Sequence, residues 1–176
     1  MTNASNDNSL LVALYDYWQR KRGGRVMPDR SDIDPVDMPK ALLPYLFMVD
    51  LFGTPARWRY RLMGTEMAAR LGTDLTGRYL DDVLGSRYCG YLIAINNEIY
   101  DAKRPLYTES LLRLQGDRGL LTKRLLVPLA HPRTGGAMIL GAQTYHGGNS
   151  APQHSLVRSD RHDIDIEELE HRSCQS

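Results

Sequence analysis

The stretch Arg57–Leu84, RWRYRLMGTEMAARLGTDLTGRYLDDVL, decides the fold. Trp58, Tyr60 and Leu62 alternate with Arg57, Arg59 and Arg61, the period-two pattern of a half-buried strand. Gly64-Thr65 breaks that strand. Met67, Ala68 and Leu71 then share one side of a short helix, which Gly72 can stop because glycine accepts the left-handed cap conformation. After Asp74-Leu75-Thr76-Gly77-Arg78, the apolar Tyr79, Leu80, Val83 and Leu84 open another helical turn.

On the N-terminal side, Tyr45–Phe52 is nearly all apolar and reads as a central strand, turned into the Arg57 strand by Gly53-Thr54-Pro55. Arg25–Pro44 is rich in Pro and Asp, residues of turns and caps; Asp34-Pro35 reads as an N-cap followed by proline at the first position of a short helix over Pro35–Leu42. From Ser9 to Arg22, Leu10, Leu11, Leu14, Tyr17 and Trp18 recur at helical spacing, with a basic last turn and Gly23-Gly24 as the stop. That stripe must lie on something, either the chain's own sheet or a second copy.

On the C-terminal side, Arg87–Arg104 forms a longer helix with the stripe Tyr88, Tyr91, Leu92, Ile95 and Ile99, while Asn96, Asn97 and Asp101 are expected to face water. Three strands follow, Leu106–Gln115, Leu120–Ala130 and Ala137–His146, separated by glycine- and proline-rich breakers. Beyond Gly147 the segment GGNSAPQHS has linker composition, and the charged Ser159–Arg172 stretch reads as disordered, with a marginal amphipathic helix docking on a partner as the alternative. The order, an N-terminal amphipathic helix, two strands, helices, then three strands, is that of an α+β domain. The chain divides into an N-terminal tail and helix (1–24), a domain (25–146) and a flexible tail (147–176).

Composition narrows the function. The chain has 176 residues, 42% hydrophobic and 24% charged, as in one globular domain able to bury a core without disulfides or metal. A net charge of +1 gives no electrostatic footprint for nucleic acid or a membrane surface. Two cysteines, Cys89 and Cys174, do not make a disulfide framework, and a reducing cytoplasm is expected. MTNASNDNSL lacks the pattern of a signal peptide, and the longest apolar run, Ala41–Val49, is too short to span a bilayer. No nucleophile elbow, P-loop, HExxH or dinucleotide fingerprint occurs, so no catalytic residue is assigned. Asp81 and Asp82 are neighbours that diverge on a helix and read as a solvated surface. The five histidines are scattered, and Asp160, His162, Asp163 and Asp165 lack the remaining features of a calcium loop, so no metal site is assigned either.

Three segments carry a family resemblance: RSDIDP at Arg30–Pro35, RYRLMGT at Arg59–Thr65 and GTDLTGR at Gly72–Arg78. In this order they resemble the PAS superfamily of sensory domains, in particular a bacterial single-domain branch, over Arg30 to His146. They so imply its fold, a five-stranded antiparallel sheet with helices on one face and here the N-terminal amphipathic helix outside. The resemblance implies a module that binds a small molecule or a partner protein and signals through protein contacts, a homodimer through Leu10, Leu14, Tyr17 and Trp18, and no enzymatic activity. Flavin-type light sensors of this superfamily carry a reactive cysteine just after the Gly-Arg corner; here Leu80 takes that place, and Cys89 reads as a packed small side chain. Oxygen-sensing haem relatives carry a proximal histidine on the long helix, and Arg87–Arg104 has none. Covalent flavin photochemistry and helix-histidine haem are therefore disfavoured, and a non-covalently held flavin stays open.

The same resemblance points to Gln143, in Gly141-Ala142-Gln143, as a pocket hydrogen-bonding group, against the alternative of a solvent-facing or interface glutamine. If Gln143 faces inward, alternation sends Ile139, Gly141 and Tyr145 the same way. Tyr60 is a second candidate, or a core ring with its hydroxyl at the edge. Arg124 is a third. It is either an exposed cross-strand partner of Glu109 or a buried cation, which would need an anion. The rival functions are a ligand-free dimerisation module and an enzyme with an unrecognised site.

Overall fold

The computed structural model describes residues 4–114, 118–131, 136–146 and 165–174. Helix α1 (Ala4–Arg22) is followed by three short 3-10 turns, Arg30–Asp32, Pro35–Asp37 and Lys40–Tyr45, and by strand β1 (Leu46–Phe52). Then come β2 (Arg57–Met63), the short helices α2 (Thr65–Leu71) and α3 (Leu80–Val83), and the long α4 (Ser86–Ala102). Strands β3 (Leu106–Leu114), β4 (Arg118–Ala130) and β5 (Ala137–His146) complete the expected set. These five strands pair antiparallel in the order β2-β1-β5-β4-β3, the α+β architecture expected from the sequence.

A sixth strand, β6 (Asp165–Ser173), pairs antiparallel with β3. The disordered or helical reading of this stretch is corrected. Edge pairing relies on main-chain hydrogen bonds and tolerates a charged sequence, so hydrophobic spacing gave no sign of it. Residues 147–164, expected as a flexible tail, lie outside the described residues. The far edge is covered too. Gly77 N donates to Tyr60 O at 2.7 Å, and Tyr60 N donates to Arg78 O at 2.9 Å, which lays residues 77–79 along β2.

The sheet has an apolar layer on each side. On the inner face, Phe47, Val49, Trp58, Tyr60 and Ile139 pack against Met67, Leu80, Leu92 and Ile95 of α2–α4. On the outer face, Leu125, Val127, Leu129, Met138 and Leu140 pack against α1. Leu10, Leu14, Tyr17 and Trp18, expected at a dimer contact, are all buried on the chain's own sheet. Each such apolar side chain stabilises the fold by about 1.5–3 kcal/mol.

The 25–45 segment pins α1 in place. Tyr17 Oη donates to Asp37 Oδ1 at 2.8 Å and accepts from Asp34 N at 3.0 Å. Asp34 accepts from Val36 N at 2.9 Å, the expected cap, while Asp32 accepts from Asp29 N and from Arg25. The single helix expected over Pro35–Leu42 is instead two turns, because Pro39 has no N–H to continue the ladder. RSDIDP is thus a fastening for the end of α1, and the basic run Arg20–Arg25 is partly neutralised by Asp29, Asp32 and Asp37.

One expected side-chain direction is reversed. Met48 pairs with Leu62 but Val49 pairs with Tyr60, which leaves Arg61 as an extra residue, a β-bulge. The bulge changes the alternation: Trp58, Tyr60 and Met63 turn inward, and Leu62 is left 39% exposed.

Candidate functional site

Along β4, Thr122, Arg124 and Leu126 turn toward α4, while Leu125, Val127 and Leu129 turn toward α1. This alternation carries a guanidinium into the inner core, where Arg124 is fully buried. Its Nε donates to Gln143 Oε1 at 2.6 Å, Nη1 to Ser110 Oγ at 2.9 Å and Nη2 to Tyr88 Oη at 3.0 Å. Ser110 and Thr122 hydroxyls lie 2.8 Å apart, and Thr122 Oγ1 donates to the Ser110 carbonyl at 3.1 Å. A consistent proton order follows, in which Ser110 accepts from Arg124 and donates to Thr122. The guanidinium carbon also lies 5.8 Å from the Tyr88 ring centre and 5.7 Å from that of Tyr91.

Every hydrogen-bond partner of Arg124 among the described residues is therefore neutral. Burial disfavours its charge; Tyr88, Tyr91 and Tyr145 lift its pKa above the ordinary value, but through an attraction that only ionised phenols exert and that is therefore missing near neutral pH. Burial, followed by Tyr88, also pushes Tyr60 and Tyr145 well above the usual phenol range. Near neutral pH these two are phenols and supply no counter-charge. A buried charge normally has an ionic partner, since desolvating it costs several kcal/mol.

Between this cluster and α2–α4 lies an enclosed cavity. Tyr60, Tyr88, Asn96, Arg124, Gln143 and Tyr145 form its polar side, and Phe47, Leu80, Leu84, Leu92 and Ile95 its apolar side. Its volume open to water centres is about 20 Å³, the space of about one water molecule. Gly141 lies under Phe47: a Cβ there would sit 2.3 Å from Cζ, so the missing side chain lets the ring rest on the sheet. A larger hollow of about 410 Å³ is an open groove beside α1, lined by Leu11, Val12, Tyr15, Tyr107, Leu125 and Cys174. It lacks a buried charge among the described residues.

The structure brings Gln143, Tyr60 and Arg124 to one cavity wall. Arg124 is not the exposed partner of Glu109; Lys123 fills that role at 3.1 Å on the opposite face. Asn96, expected to face water, is 3% exposed and lines the cavity. It lies four residues after Leu92 and eight after Tyr88, a helical spacing that was outweighed by the polarity of its side chain. Ser110 and Thr122 were also missed, although alternation places both on the inward face, Thr122 two residues before Arg124 and Ser110 opposite Thr122. Leu80, at the position of the flavin-type cysteine, is a cavity wall. Cys89 is buried in the inner core, and burial, then Asp81, pushes its thiol pKa up. Asp81 and Asp82 clamp Arg57, whose Nε and Nη2 reach Asp81 at 2.7 and 2.6 Å.

The architecture is thus an antiparallel sheet with α2–α4 over one face, α1 over the other, and a small mixed-polarity cavity beneath α2–α4. A family model of the PAS domain matches residues 6–144, taking in nearly all of α1, strands β1 to β4 and most of β5, but not β6. The chain belongs to that family. No curated protein and no solved structure matches it. Among the described residues, no helix is long and apolar enough to cross a membrane.

Proposed function

We propose that this chain is a PAS-type sensory module that takes a small molecule into the cavity bounded by Arg124, Gln143 and Tyr60 and passes the result on through protein contacts. The supporting observation is the wholly buried Arg124, held on that cavity wall by neutral partners alone among the described residues. A core that served only as packing would be more stable with an apolar residue of similar volume there. The role is binding rather than catalysis: an amide, phenols and a guanidinium meet at the cavity, with no carboxylate or imidazole among the described lining. The output surface we assign is the exposed flank of α1, where Val12 is 56% exposed, because Leu10, Leu14, Tyr17 and Trp18 are occupied by the sheet.

The test is native mass spectrometry of the purified chain, together with its absorption spectrum. A bound small molecule, retained from more than one expression host, is the expected result. A bare mass from every host, with no binder found in a thermal-shift screen, would overturn the reading. It would favour a ligand-free interaction module, to which the cavity's small volume of about 20 Å³ lends weight.

A further inference from the structure

The guanidinium of Arg124 has five N–H donors, and the structure accounts for three of them, on Nε, Nη1 and Nη2. One N–H remains on each terminal nitrogen, a number that the two oxygens of a carboxylate can take. Two hydroxyls beside it are also buried without a partner. Thr108 Oγ1 belongs to the residue directly opposite Arg124 in the β3–β4 register, and Tyr91 Oη to a ring flanking the guanidinium. Thr108 and Tyr91 do not line the cavity; the guanidinium does, and its two remaining N–H groups carry a desolvation cost that an acceptor-rich anion in the cavity would relieve.

The charge count sets the ligand's charge. Arg124 is the one cation lining the cavity among the described residues, so a single negative charge balances it and a second would be left uncompensated. The opposite wall of Leu80, Leu84, Leu92 and Ile95 calls for an apolar body. The space, about that of one water molecule, calls for the smallest such anions, and any longer one must displace part of this apolar wall.

We infer that the ligand is a short-chain monocarboxylate, its charged end on Arg124 and its apolar body toward Leu80, Leu84 and Leu92. This rests on the sensory reading above and deepens it. The natural comparison is Gln143→Glu. Gln143 Oε1 already accepts from Arg124 at 2.6 Å, so this change installs a carboxylate inside the protein where the cation needs one.

The experiment is calorimetric titration of the full chain with sodium formate, acetate and propionate, against formamide, acetamide and propionamide at matched ionic strength. The carboxylates are expected to bind at least roughly tenfold more tightly than the amides, the scale of one charge-assisted hydrogen bond. Gln143→Glu is expected to fold with a raised urea midpoint and to lose carboxylate binding roughly ten- to hundredfold. Equal binding of amides and carboxylates would overturn the anion assignment and leave the sensory reading standing. Carboxylate binding that survives in Gln143→Glu would place the site elsewhere and overturn it as well. Binding of neither series, with a bare native mass, would overturn both.

Discussion

Trp18 Nε1 on α1 donates to the carbonyl of Pro128 on β4 at 2.8 Å, across 110 residues of sequence and within a buried layer. The indole thereby fastens the outer helix to the strand that carries Arg124 on its other face. Trp18→Phe keeps a ring but leaves a buried carbonyl unpaired, so it is expected to cost about 1–3 kcal/mol. Trp18→Ala also opens a cavity and is expected to cost about 3–5 kcal/mol. Urea denaturation at constant m-value measures both, and a Trp18→Phe midpoint equal to that of the parent chain would contradict the fastening role.

Two glycines meet equally close neighbours but differ in what those neighbours can do. A Cβ on Gly64 would lie 2.3 Å from the Pro44 carbonyl oxygen, and one on Gly141 would lie 2.3 Å from Phe47 Cζ. Gly64→Ala must displace backbone at the junction of β2 and α2, and is expected to destabilise by about 3 kcal/mol or more. Gly141→Ala displaces a ring that borders the cavity, and about 1–2 kcal/mol is expected. Aromatic proton shifts of Phe47 should move in Gly141→Ala. An equal loss of stability in the two variants would show that the ring is as fixed as the backbone.

Arg57 and Arg59 share one strand, yet their deletion should differ. Arg57 reaches Asp81 and Asp82, whose side chains are 44% and 48% exposed, and solvent already screens that cluster. Arg59 holds Asp50, whose side chain is 11% exposed, through bonds of 2.8 and 3.1 Å. Arg59→Gln should cost about 1–3 kcal/mol by leaving Asp50 under-satisfied. Arg57→Gln should move the midpoint little and reduce its dependence on salt. Thermal denaturation at low and high ionic strength separates the two cases.

The pH limits of stability follow from shifted groups. Hydrogen bonds from Lys21, Arg25 and Arg57 hold Asp37, Asp32 and Asp81 respectively below the ordinary 3.8. For Glu109, burial acts upward but Tyr107 and Lys123 outweigh it, leaving it below 4.5. Folded values below unfolded ones mean that these contributions are present above about pH 5 and are lost as pH falls through the folded values. Tyr60 and Tyr145 have the opposite sign: their raised values favour the folded state below the ordinary 10.0, and that support is lost as pH rises past it. Denaturation across pH should therefore show an acid and an alkaline limb. Absorbance should show Tyr60, which is 5% exposed, ionising only on unfolding, and the half-buried Tyr145 ionising later than a free phenol. All ten tyrosines titrating near the ordinary value in the folded chain would contradict this.

The positions of β1 to β5 and the Gly72 cap, observed at φ 75°, were legible because each rests on local chemistry or a simple period, while the antiparallel meander came from the family resemblance. Leu62 was not, since a bulge at Arg61 is invisible to a counting rule and reverses every side chain after it. Asp165–Ser173 was hidden because its stability comes from a vacant edge elsewhere in the chain, not from its own residues. At the cavity, Gln143 was found through resemblance and Arg124 through its oddness in an apolar strand. Its burial depends on Ser110, Tyr88 and Gln143 arriving from three other elements, which no linear pattern encodes.

The lining of both sheet edges has a bearing on how this molecule meets others. With residues 77–79 along β2 one edge is partly covered, and with Asp165–Ser173 along β3 the open edge passes to β6, whose sequence DIEELEHRS is rich in the charges that discourage strand addition and amyloid-like stacking. Pairing by a partner at that edge is thereby discouraged by charge rather than by closure. The chain's own last strand acts as a resident competitor, so a partner that pairs with β3 must first evict it.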